Sequence, residues 1–550
     1  MAQVGSVTAT EKLKNVIGIL AAGRASALPV SYICVPLQSD RDEMSKGKSA
    51  MEEYTLQKVR EYEAIKEREI SGEDRPLFHL SSRVGWMNDP NGFCWYQGAC
   101  HLFYQYHPYD TQWGPMHWGH AVSEDLMHWE YLPAAMAPDM PFDRDGCFSG
   151  SALELPDGRM LLMYTGVVKR KKPEGGLAEY QAQCLAVGDG LEFEKQEGNP
   201  VLTGDDLPEG FSRTDFRDPK IWQCEDGTYR CVAGNRPKDG SGQILLFASE
   251  DGFHWTFRKV LVENRGRYGK MWECPDFFSL DGYQVLLVSP QDMLPQGLEY
   301  HNGNGTLCLI GTYDSETETF EQQYDQAIDY GIDFYAPQTT VLPDGRRIMI
   351  GWMQNWDTCN VRNEGCRWFG QMSLPRELSV KNGRLFQRPV RELEALRCEK
   401  VEYRNVLVEG QIELPRIRGR FVDMELEIRR DDTTGDGGYR KFTILFAQKE
   451  EFYMSLTYDP VESILKLDRK FSGIRRGGIH QRRVHIPCRN STLKLRMILD
   501  RYSAEIFVNG GEYVMTMTFY TEDEAEGITF LAQGVAKMDI IKYSLQRQSP

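Results

Sequence analysis

The sequence predicts an all-β chain in which a five-bladed β-propeller is followed by a C-terminal β-sandwich. Glycine-containing turns recur five times along the first part of the chain, and each is followed by an apolar run typical of a strand. Beyond about residue 400 this repeat stops, and apolar and polar residues alternate strictly between hairpin turns. The first pattern is typical of a radial repeat, and the second of antiparallel sheets with one solvated face.

Two markers define the repeat. The first is a turn glycine, preceded four times by Asp and once by Gln, with spacings of 60, 69, 55 and 63 residues: Gly98, Gly158, Gly227, Gly282 and Gly345. The second is an aspartate followed shortly by Trp or Phe, with spacings of 64, 62 and 63 residues: Asp125, Asp189, Asp251 and Asp314. A shared period indicates five copies of one supersecondary unit, and we assign them to residues 76–390.

Carboxylates recur at one phase of this repeat. Nine residues before the five turn glycines stand Asp89, Ser149, Asp218, Glu273 and Ala336. Equivalent positions in the inner strands of a propeller converge on its axis, so three acids far apart in sequence are expected to face one funnel. The alternative is a chance alignment of acids in surface turns, because Asn88-Asp89-Pro90-Asn91-Gly92 is also a typical turn sequence.

Residues 1–75 form an extension before the propeller. Residues 1–50 have no periodicity, and Met44 or Met51 could equally be the true start. Leu56, Val59, Tyr62 and Ile65 recur at three-residue spacing in a charged segment, which predicts a helix lying on the surface.

After the propeller, residues 391–402 form a predicted linker, in which the charged segment 391–400 predicts a short helix. Residues 403–550 form the predicted sandwich. The segments 422–428 and 493–499 alternate with period two, and Asn509-Gly510-Gly511 is a hairpin turn.

Composition excludes several classes of protein. At 550 residues the chain is long enough for two domains, and its net charge of -16 argues against nucleic acid or an anionic membrane as partner. The 13 cysteines form no CxxC pair, and no apolar run approaches the length of a membrane span. We expect free thiols and a cytoplasmic location; the alternative is a degenerate secretory signal ending near residues 25–27.

Three converging carboxylates without a metal ligand set or nucleotide loop favour glycoside hydrolysis, with no metal and no cofactor. That chemistry needs one ionised carboxylate and one carboxylic acid, whose pKa values must be pushed apart. The short aspartates suit the nucleophile or a fixed partner. Glu273 is flanked by Trp272 and Cys274-Pro275, which predicts a more apolar setting in which burial would raise its pKa and suit it as the acid.

These motifs resemble those of glycoside hydrolase family 32, which contains the invertases and β-fructofuranosidases. The resemblance covers roughly residues 78–531 and is closest to bacterial intracellular members, often called sucrose-6-phosphate hydrolases. Its motifs are Trp86–Gly92, His101–Gln105, Trp113–His120, Phe148–Ser151, Arg217–Pro219, Glu273–Pro275, Asp333–Gln338 and Ser503–Glu512.

The resemblance implies a five-bladed propeller with a C-terminal sandwich, and it implies roles for the acids. Asp89 would be the nucleophile, Glu273 the general acid and base, and Asp218 the transition-state stabiliser that holds fructose hydroxyls. The fructose pocket would be lined by Asn88, Gln105, Trp113, Phe148, Ser149 and Arg217. Structural alternatives are that Trp113 and Phe148 belong to a blade core, and that Arg217 pairs with a neighbouring acid.

The expected reaction is hydrolysis, with retention, of terminal β-D-fructofuranosides, such as sucrose and short fructo-oligosaccharides. A sucrose-6-phosphate hydrolase of the same mechanism is the main alternative, because the basic run Lys169–Lys172 could bind a phosphate as well as form a solvated loop. A fructosyltransferase, an inverting propeller glycosidase and a non-catalytic sugar-binding propeller are three further possibilities. The sugar-binding propeller is disfavoured because a lectin needs no acid-base pair. Oligomeric state is not predicted.

Overall fold

The predicted fold class is confirmed. The computed structural model describes residues 54–172, 175–359, 365–430, 438–473, 478–487 and 492–546. Five antiparallel sheets form the blades of a propeller, and a further set of strands forms a C-terminal β-sandwich. Residues 1–50 and the possible secretory signal lie outside the described residues.

Each blade contains four antiparallel strands, which are consecutive in the first four blades, and the first blade has one added strand. Blade one contains β1 (Gly85–Tyr96), β2 (Ala99–His107), β3 (His117–Ser123) and β4 (Glu130–Met136). Blade two contains β5 (Gly146–Glu154), β6 (Met160–Lys171), β7 (Leu177–Gly188) and β8 (Phe193–Lys195). Blade three contains β9 (Phe216–Gln223), β10 (Tyr229–Asn235), β11 (Gln243–Ser249) and β12 (Thr256–Glu263).

The last two blades close the ring. Blade four contains β13 (Trp272–Leu280), β14 (Tyr283–Pro290), β15 (Leu307–Asp314) and β16 (Thr319–Ala327). Blade five contains β17 (Tyr335–Val341), β18 (Arg347–Trp352), β20 (Arg376–Lys381) and β21 (Arg384–Pro389). Between β18 and β20 the chain crosses to blade one, where β19 (Trp368–Phe369) pairs in parallel with the start of β1. This crossing joins the first and last blades.

Both sequence markers correspond to repeated turns. The five turn glycines connect the first and second strands of the blades, and all have φ between 81° and 96°, a conformation that favours glycine. Three of the four marker aspartates follow the third strand of their blade, and Asp314 is the last residue of the third strand of blade four. Each accepts two backbone N–H bonds from residues two and three positions further on, which closes the turn into the fourth strand.

The inner strands carry a repeated irregularity. The first strands of the five blades contact one another in a closed ring around the axis. In every blade the pairing of the first and second strands shifts register at, or directly beside, the position nine residues before the turn glycine. A β-bulge bends the strand and changes the direction of its side chain. The same local device therefore recurs at all five positions, including those of Asp89, Asp218 and Glu273.

The helix predicted in the extension is α1 (Leu56–Lys66), which lies on blade one. Val59 and Glu63 are buried, whereas Ile65 is 60% exposed. Residues three apart advance about 300° around a helix, so a strict three-residue spacing drifts away from one face. The predicted stripe therefore leaves the blade before it reaches Ile65. Short 3-10 helices follow at Glu67–Glu69 and Gly72–Asp74, and another lies at Gly204–Asp206.

The linker differs from the prediction. A 3-10 helix covers Arg391–Leu396, and β22 begins at Arg397, inside the range 391–402. The helix is shorter than predicted because Arg397 and Cys398 already pair with the last strand of the chain. The assigned domain boundaries stay a prediction.

The sandwich is built around two long strands, β22 and β31, that pair with each other. The first part of β31 continues into one sheet through β24 and the second part into the other through β23. The strands are β22 (Arg397–Ile412), β23 (Val422–Arg430), β24 (Lys441–Lys449), β25 (Phe452–Asp459), β26 (Ile464–Phe471), β27 (Gln481–His485), β28 (Thr492–Asp500), β29 (Ser503–Val508), β30 (Tyr513–Thr518) and β31 (Gly527–Leu545).

A buried polar network joins the sandwich to the propeller. Arg376 of blade five is fully buried, and its guanidinium donates to Glu505 of β29 and to Asp329. Glu505 and Asp500 also accept from the two ring nitrogens of His79. Burial alone would lower the pKa of His79, but hydrogen bonds to these two carboxylates raise it to about 9. The imidazolium and the guanidinium thus place two positive charges among the three buried acids.

Several absences hold for the described part of the chain. Its eleven cysteines form no disulfide bond with one another. No helix among these residues has the length and apolar character needed to cross a membrane. No group of three or more His, Cys, Asp or Glu side chains in the described ranges has the arrangement of a metal site.

The network predicts a large effect of Arg376→Ala on stability. Removing one partner of a buried ion pair leaves an uncompensated charge, at a cost of about 3–5 kcal/mol. We expect a loss of that order in the free energy of unfolding, measured by urea denaturation. Arg388→Ala is the matched control, since Arg388 is exposed on the neighbouring strand and should change stability by less than about 0.5 kcal/mol. Equal effects of the two changes would contradict this role.

Candidate active site

A cavity of about 300 Å³ opens on the propeller axis at the end where the inner strands begin. The nine residues singled out from the sequence all line it: Asn88, Asp89, Gln105, Trp113, Phe148, Ser149, Arg217, Asp218 and Glu273. The sequence did not single out the other lining residues: Glu179, Gln181, Thr214, Asp215, Gln291 and Trp356. The structure therefore brings together acids that lie up to 184 residues apart in the chain (273 − 89).

Asp89 lies in the bulge of β1, and its side chain is buried. The Ser149 hydroxyl donates to Asp89 Oδ2 over 2.9 Å, while Oδ1 has no hydrogen-bond partner among the described residues. Burial, and then the charge of Glu273, raise the pKa of Asp89 to about 6. The neighbouring Asn88 is held by the indole N–H of Trp86, which donates to its Oδ1 over 2.7 Å. One oxygen of Asp89 is thus oriented and the other is unpaired.

Asp218 lies in the bulge of β9 with φ of 66°. Its Oδ2 accepts from the backbone N–H of Cys274 over 2.9 Å, and its own N–H donates to Thr165 Oγ1. Burial raises the pKa of Asp218, the Arg217 guanidinium opposes that rise, and the charge of Glu273 adds to it. The Cys274 thiol lies 3.6 Å from Asp89 Oδ2 and 3.7 Å from Asp218 Oδ2, so it fills the space between the two aspartates.

Arg217 connects the acids on the opposite side. Its Nε and Nη2 donate to Glu273 Oε1 over 3.0 and 2.9 Å. Its Nη1 donates to Asp215 and to Gln181. Arg217 does pair with neighbouring acids, as the alternative stated. These acids, Glu273 and Asp215, line the cavity, so the pairing does not remove Arg217 from the site. A guanidinium that makes four such hydrogen bonds fixes the orientation of Glu273.

The apolar setting predicted for Glu273 is wrong. Besides the two bonds from Arg217 to Oε1, the Tyr335 hydroxyl lies 2.7 Å from Oε2. The same hydroxyl lies 2.9 Å from the carbonyl oxygen of Ser289. The flanking Trp272 is buried in a hydrophobic core, so this apolar neighbour in sequence does not surround the carboxylate. Neighbours in space, from blades three and five, give Glu273 its polar surroundings.

The aromatic residues belong to the mouth of the cavity. Trp113 lies on the loop between β2 and β3, is 42% exposed, and meets Phe148 edge to face at 6.1 Å between ring centroids. Such exposure excludes Trp113 from a blade core. Gln105 is buried below them and donates to the carbonyl oxygen of Cys147. The rings and the amide thus form one wall, opposite the acids of β9 and β13.

Charges at the rim are paired. Lys169 Nζ, from the basic run, lies 3.5 Å from Glu179 Oε1. Arg236 Nη2 lies 2.6 Å from Asp215 Oδ2. Among the described residues that line the cavity, Arg217 is the one cation against five carboxylates. The cavity is therefore an acidic site whose nearest external cations are engaged by acids.

Sequence reasoning missed Tyr335, Gln181, Asp215 and Cys274. Tyr335 and Cys274 stand inside motifs that the resemblance had identified, so a signal for them was present. Gln181 lies on β7, a third strand, where the repeat places no special position. Its contact with Arg217 depends on the packing of blade two against blade three, which has no signal in a single sequence.

Comparisons with known proteins agree along most of the chain. The model of the glycosyl hydrolases family 32 N-terminal domain matches residues 79–389, and that of the family 32 C terminal matches residues 392–546. The sucrose-6-phosphate hydrolase of Escherichia coli is 38% identical over 84% of this chain and 92% of its own. The raffinose invertase of Escherichia coli is 37% identical over 83% of this chain and 92% of its own.

A solved structure is similar along its whole length. The Bombyx mori GH32 beta-fructofuranosidase, of which a mutant was solved in complex with sucrose, has a TM-score of 0.75 and is 34% identical. The match covers 90% of this chain and 99% of that one. With two matched family domains, and relatives above 30% identity over more than four fifths of the chain, the protein belongs to glycoside hydrolase family 32.

Proposed function

We propose that this family 32 hydrolase is a retaining β-fructofuranosidase that cleaves terminal non-reducing β-D-fructofuranosides, sucrose first and short fructo-oligosaccharides next. The observation that carries the proposal is one cavity in which Asp89 presents an unpaired carboxylate oxygen while Glu273 is held on the other side by Arg217. This is the pair of carboxyl groups that two-step glycoside hydrolysis requires.

In the first step an oxygen of Asp89 attacks the anomeric carbon of the fructosyl group. The bond from that carbon to the leaving oxygen breaks, and Glu273 gives its proton to that oxygen. In the second step Glu273 takes a proton from water, whose oxygen attacks the same carbon and releases Asp89. The bond from Ser149 to Oδ2 leaves Oδ1 as the oxygen without a protein partner among the described residues, which favours Oδ1 as the attacking atom.

The Tyr335 hydroxyl supports Glu273 as the proton donor. A phenol has one hydrogen, yet the Tyr335 oxygen lies within hydrogen-bond distance of both Glu273 Oε2 and the Ser289 carbonyl. With Glu273 ionised, both of those oxygens can only accept. A proton on Oε2 satisfies all three atoms, because Glu273 then donates to Tyr335 and Tyr335 donates to Ser289. The geometry thus has a place for the proton that the leaving oxygen must receive.

We assign Asp218 to the fructose hydroxyls and to the positive charge that develops at the anomeric carbon. Its backbone conformation is fixed by the bulge, and Cys274 holds Oδ2, so its remaining oxygen has a fixed direction. A fixed negative charge in a buried site stabilises an oxocarbenium-like transition state without reorganisation. Asn88, Gln105 and Trp113 complete the wall against which the sugar would bind.

Charge favours an unphosphorylated substrate. The described lining residues place one guanidinium among five carboxylates, and Glu179 and Asp215 already engage the cations nearest the rim. A dianionic phosphate would meet a repulsive cavity. The second candidate, hydrolysis of sucrose 6-phosphate, is favoured by the printed names of several relatives and by the position of Lys169 beside the lining residue Glu179.

The proposal extends to location and cofactors. We propose a cytoplasmic location, which the lack of disulfide bonds among the eleven described cysteines supports, because disulfides are usual in oxidising compartments. The two-step chemistry uses carboxyl groups and water alone, so we propose no metal and no cofactor.

Burial of the nucleophile predicts that Asp89→Asn raises stability at neutral pH. The folded pKa near 6 lies above the ordinary value of 3.8, so ionisation of Asp89 opposes folding above pH 6. Two pKa units correspond to roughly 3 kcal/mol. The amide removes that cost, so the thermal midpoint of the variant should exceed that of the parent at neutral pH. This difference should shrink as pH falls through 6 and vanish below 3.8. A gain independent of pH, or a loss at neutral pH, would contradict a cost that arises from ionising a buried carboxyl.

The acid role predicts a leaving-group effect in Glu273→Gln. Only substrates with poor leaving groups need protonation, so sucrose should slow by about 10²–10⁴-fold, whereas an activated aryl β-fructoside should lose far less in its fructosylation step. The measurement is kcat/KM on both substrates, which reports that step. Asp89→Asn is the matched control, because loss of the nucleophile should abolish both reactions alike. Equal losses on the two substrates in Glu273→Gln would remove Glu273 from the acid role.

The choice of substrate is tested by kcat/KM for sucrose and for sucrose 6-phosphate, in the parent and in a variant with Ser at Lys169, Arg170, Lys171 and Lys172. We expect the parent to prefer sucrose, because exposed lysines are screened at physiological salt. The variant should keep that preference. A preference for the phosphate ester of more than about tenfold, roughly 1.4 kcal/mol, that the serines erase would overturn the choice.

A further inference from the structure

The helix α1 packs beside the loop that carries Trp113, although it precedes the residues matched by the family model, which begin at residue 79. Two tyrosines from this segment enclose a tyrosine of the loop. The Tyr62 ring lies 4.8 Å from the Tyr109 ring between centroids, and the Tyr54 ring lies 5.5 Å from it. The Tyr54 ring also meets the imidazole of His117 edge to face at 5.9 Å.

The far end of this loop is held by contacts with two histidines. His107 and His117 both contact the carbonyl oxygen of Pro115 through Nδ1, at 3.3 and 2.9 Å, so both rings carry the proton on Nδ1. Gly114 lies against the His107 ring so closely that a Cβ would come within 2.5 Å of it. These contacts fix the residues just after Trp113, and the rings of the same two histidines each meet the Tyr109 ring edge to face at 5.8 Å.

Before Trp113, the loop side chains are largely turned to solvent. Asp110 and Gln112 are exposed, whereas Tyr109 is half-buried and turned toward α1. Tyr109 therefore anchors the side of the loop that enters Trp113 against α1. The 6.1 Å contact with Phe148 then places Trp113 at the cavity mouth.

The helix itself is fixed on blade one by buried polar contacts. Glu63 is buried, pairs with Arg83 over 2.9 Å, and accepts from the backbone N–H of Ala134. Arg60 donates to the Ala134 carbonyl oxygen, and the backbone N–H of Leu56 donates to Asp139. The aromatic side of α1 thus faces the loop from a rigid base.

We propose that Tyr54 and Tyr62 are positioning residues that hold the β2–β3 loop through Tyr109, so that the segment before the propeller sets how firmly Trp113 binds substrate. The kinetic test of this proposal rests on the proposed function. The contact between the tyrosines and the loop (the clamp) can also be tested without activity, because it should slow amide hydrogen exchange in the loop. Asp89 and Glu273 are held by contacts that do not involve this loop. Loss of the clamp should therefore weaken binding and leave the chemical step intact.

The test uses the full chain with Tyr54→Ala and Tyr62→Ala, singly and together. We expect KM for sucrose to rise by about two- to tenfold with kcat nearly unchanged, the range for residues that act through others. Tyr62→Phe keeps the ring and should behave as the parent. Ile65→Ala, on the exposed side of the same helix, is the control for helix truncation effects.

A double-mutant cycle separates positioning from a general loss of stability. In a Trp113→Ala background the tyrosine changes should have no further effect on KM. Amide hydrogen exchange provides a second readout independent of activity: exchange across residues 108–113 should speed up in Tyr62→Ala and not in Ile65→Ala. Unchanged KM, an equal effect with and without Trp113, or unchanged exchange would each overturn the clamp. If the parent cleaves no β-fructoside, the proposed function fails while the exchange result still decides the clamp.

Discussion

The site depends on the crowding of three buried carboxylates around one guanidinium. Asp89, Asp218 and Glu273 share a cavity of about 300 Å³, and each charge makes ionisation of its neighbours harder. Arg217 relieves that repulsion on the side of Glu273, where it donates twice to Oε1. Arg217 does not relieve the repulsion at Asp89 in the same way, because the unpaired oxygen of Asp89 lies on the other side of the cavity. The contact with Arg217 orients Glu273. The roles of the two carboxyl groups rest on Oδ1 of Asp89, which has no protein partner among the described residues, and on the contact of Glu273 Oε2 with the Tyr335 hydroxyl.

The propeller supplies this crowding through one repeated local structure. Each inner strand begins with a bulge at the same distance from its turn glycine, and in four of the five blades the residue at that position lines the shared cavity. Five such positions are available, and only three carry acids, while Ser149 hydrogen-bonds to Asp89. The sandwich contributes no described lining residue to the cavity. Its buried network with Arg376 and His79 instead holds the last blade and the start of the first.

Much of the fold and of the cavity follows from periodicity in one sequence. The turn glycines locate the strands, and counting back from them finds Asp89, Ser149, Asp218 and Glu273 without any knowledge of the family. The sequence-based predictions that were wrong concern contacts between residues that lie far apart in the chain. The apolar surroundings expected for Glu273 came from its flanking residues, whereas Arg217 and Tyr335 reach it from other blades. Likewise the partners of α1 lie in blade one and its loops, and its own spacing pattern did not identify them.

The most direct test of the account is to trap the fructosyl group on Asp89. In Glu273→Gln an activated aryl β-fructoside can still form the ester, but its hydrolysis lacks a general base and should become slow. The enzyme is quenched with acid during turnover and digested, and its peptides are weighed by mass spectrometry. The account predicts one added fructosyl residue on the peptide that contains Asp89. A fructosyl group on another residue, or steady turnover with no adduct on any peptide, would contradict it.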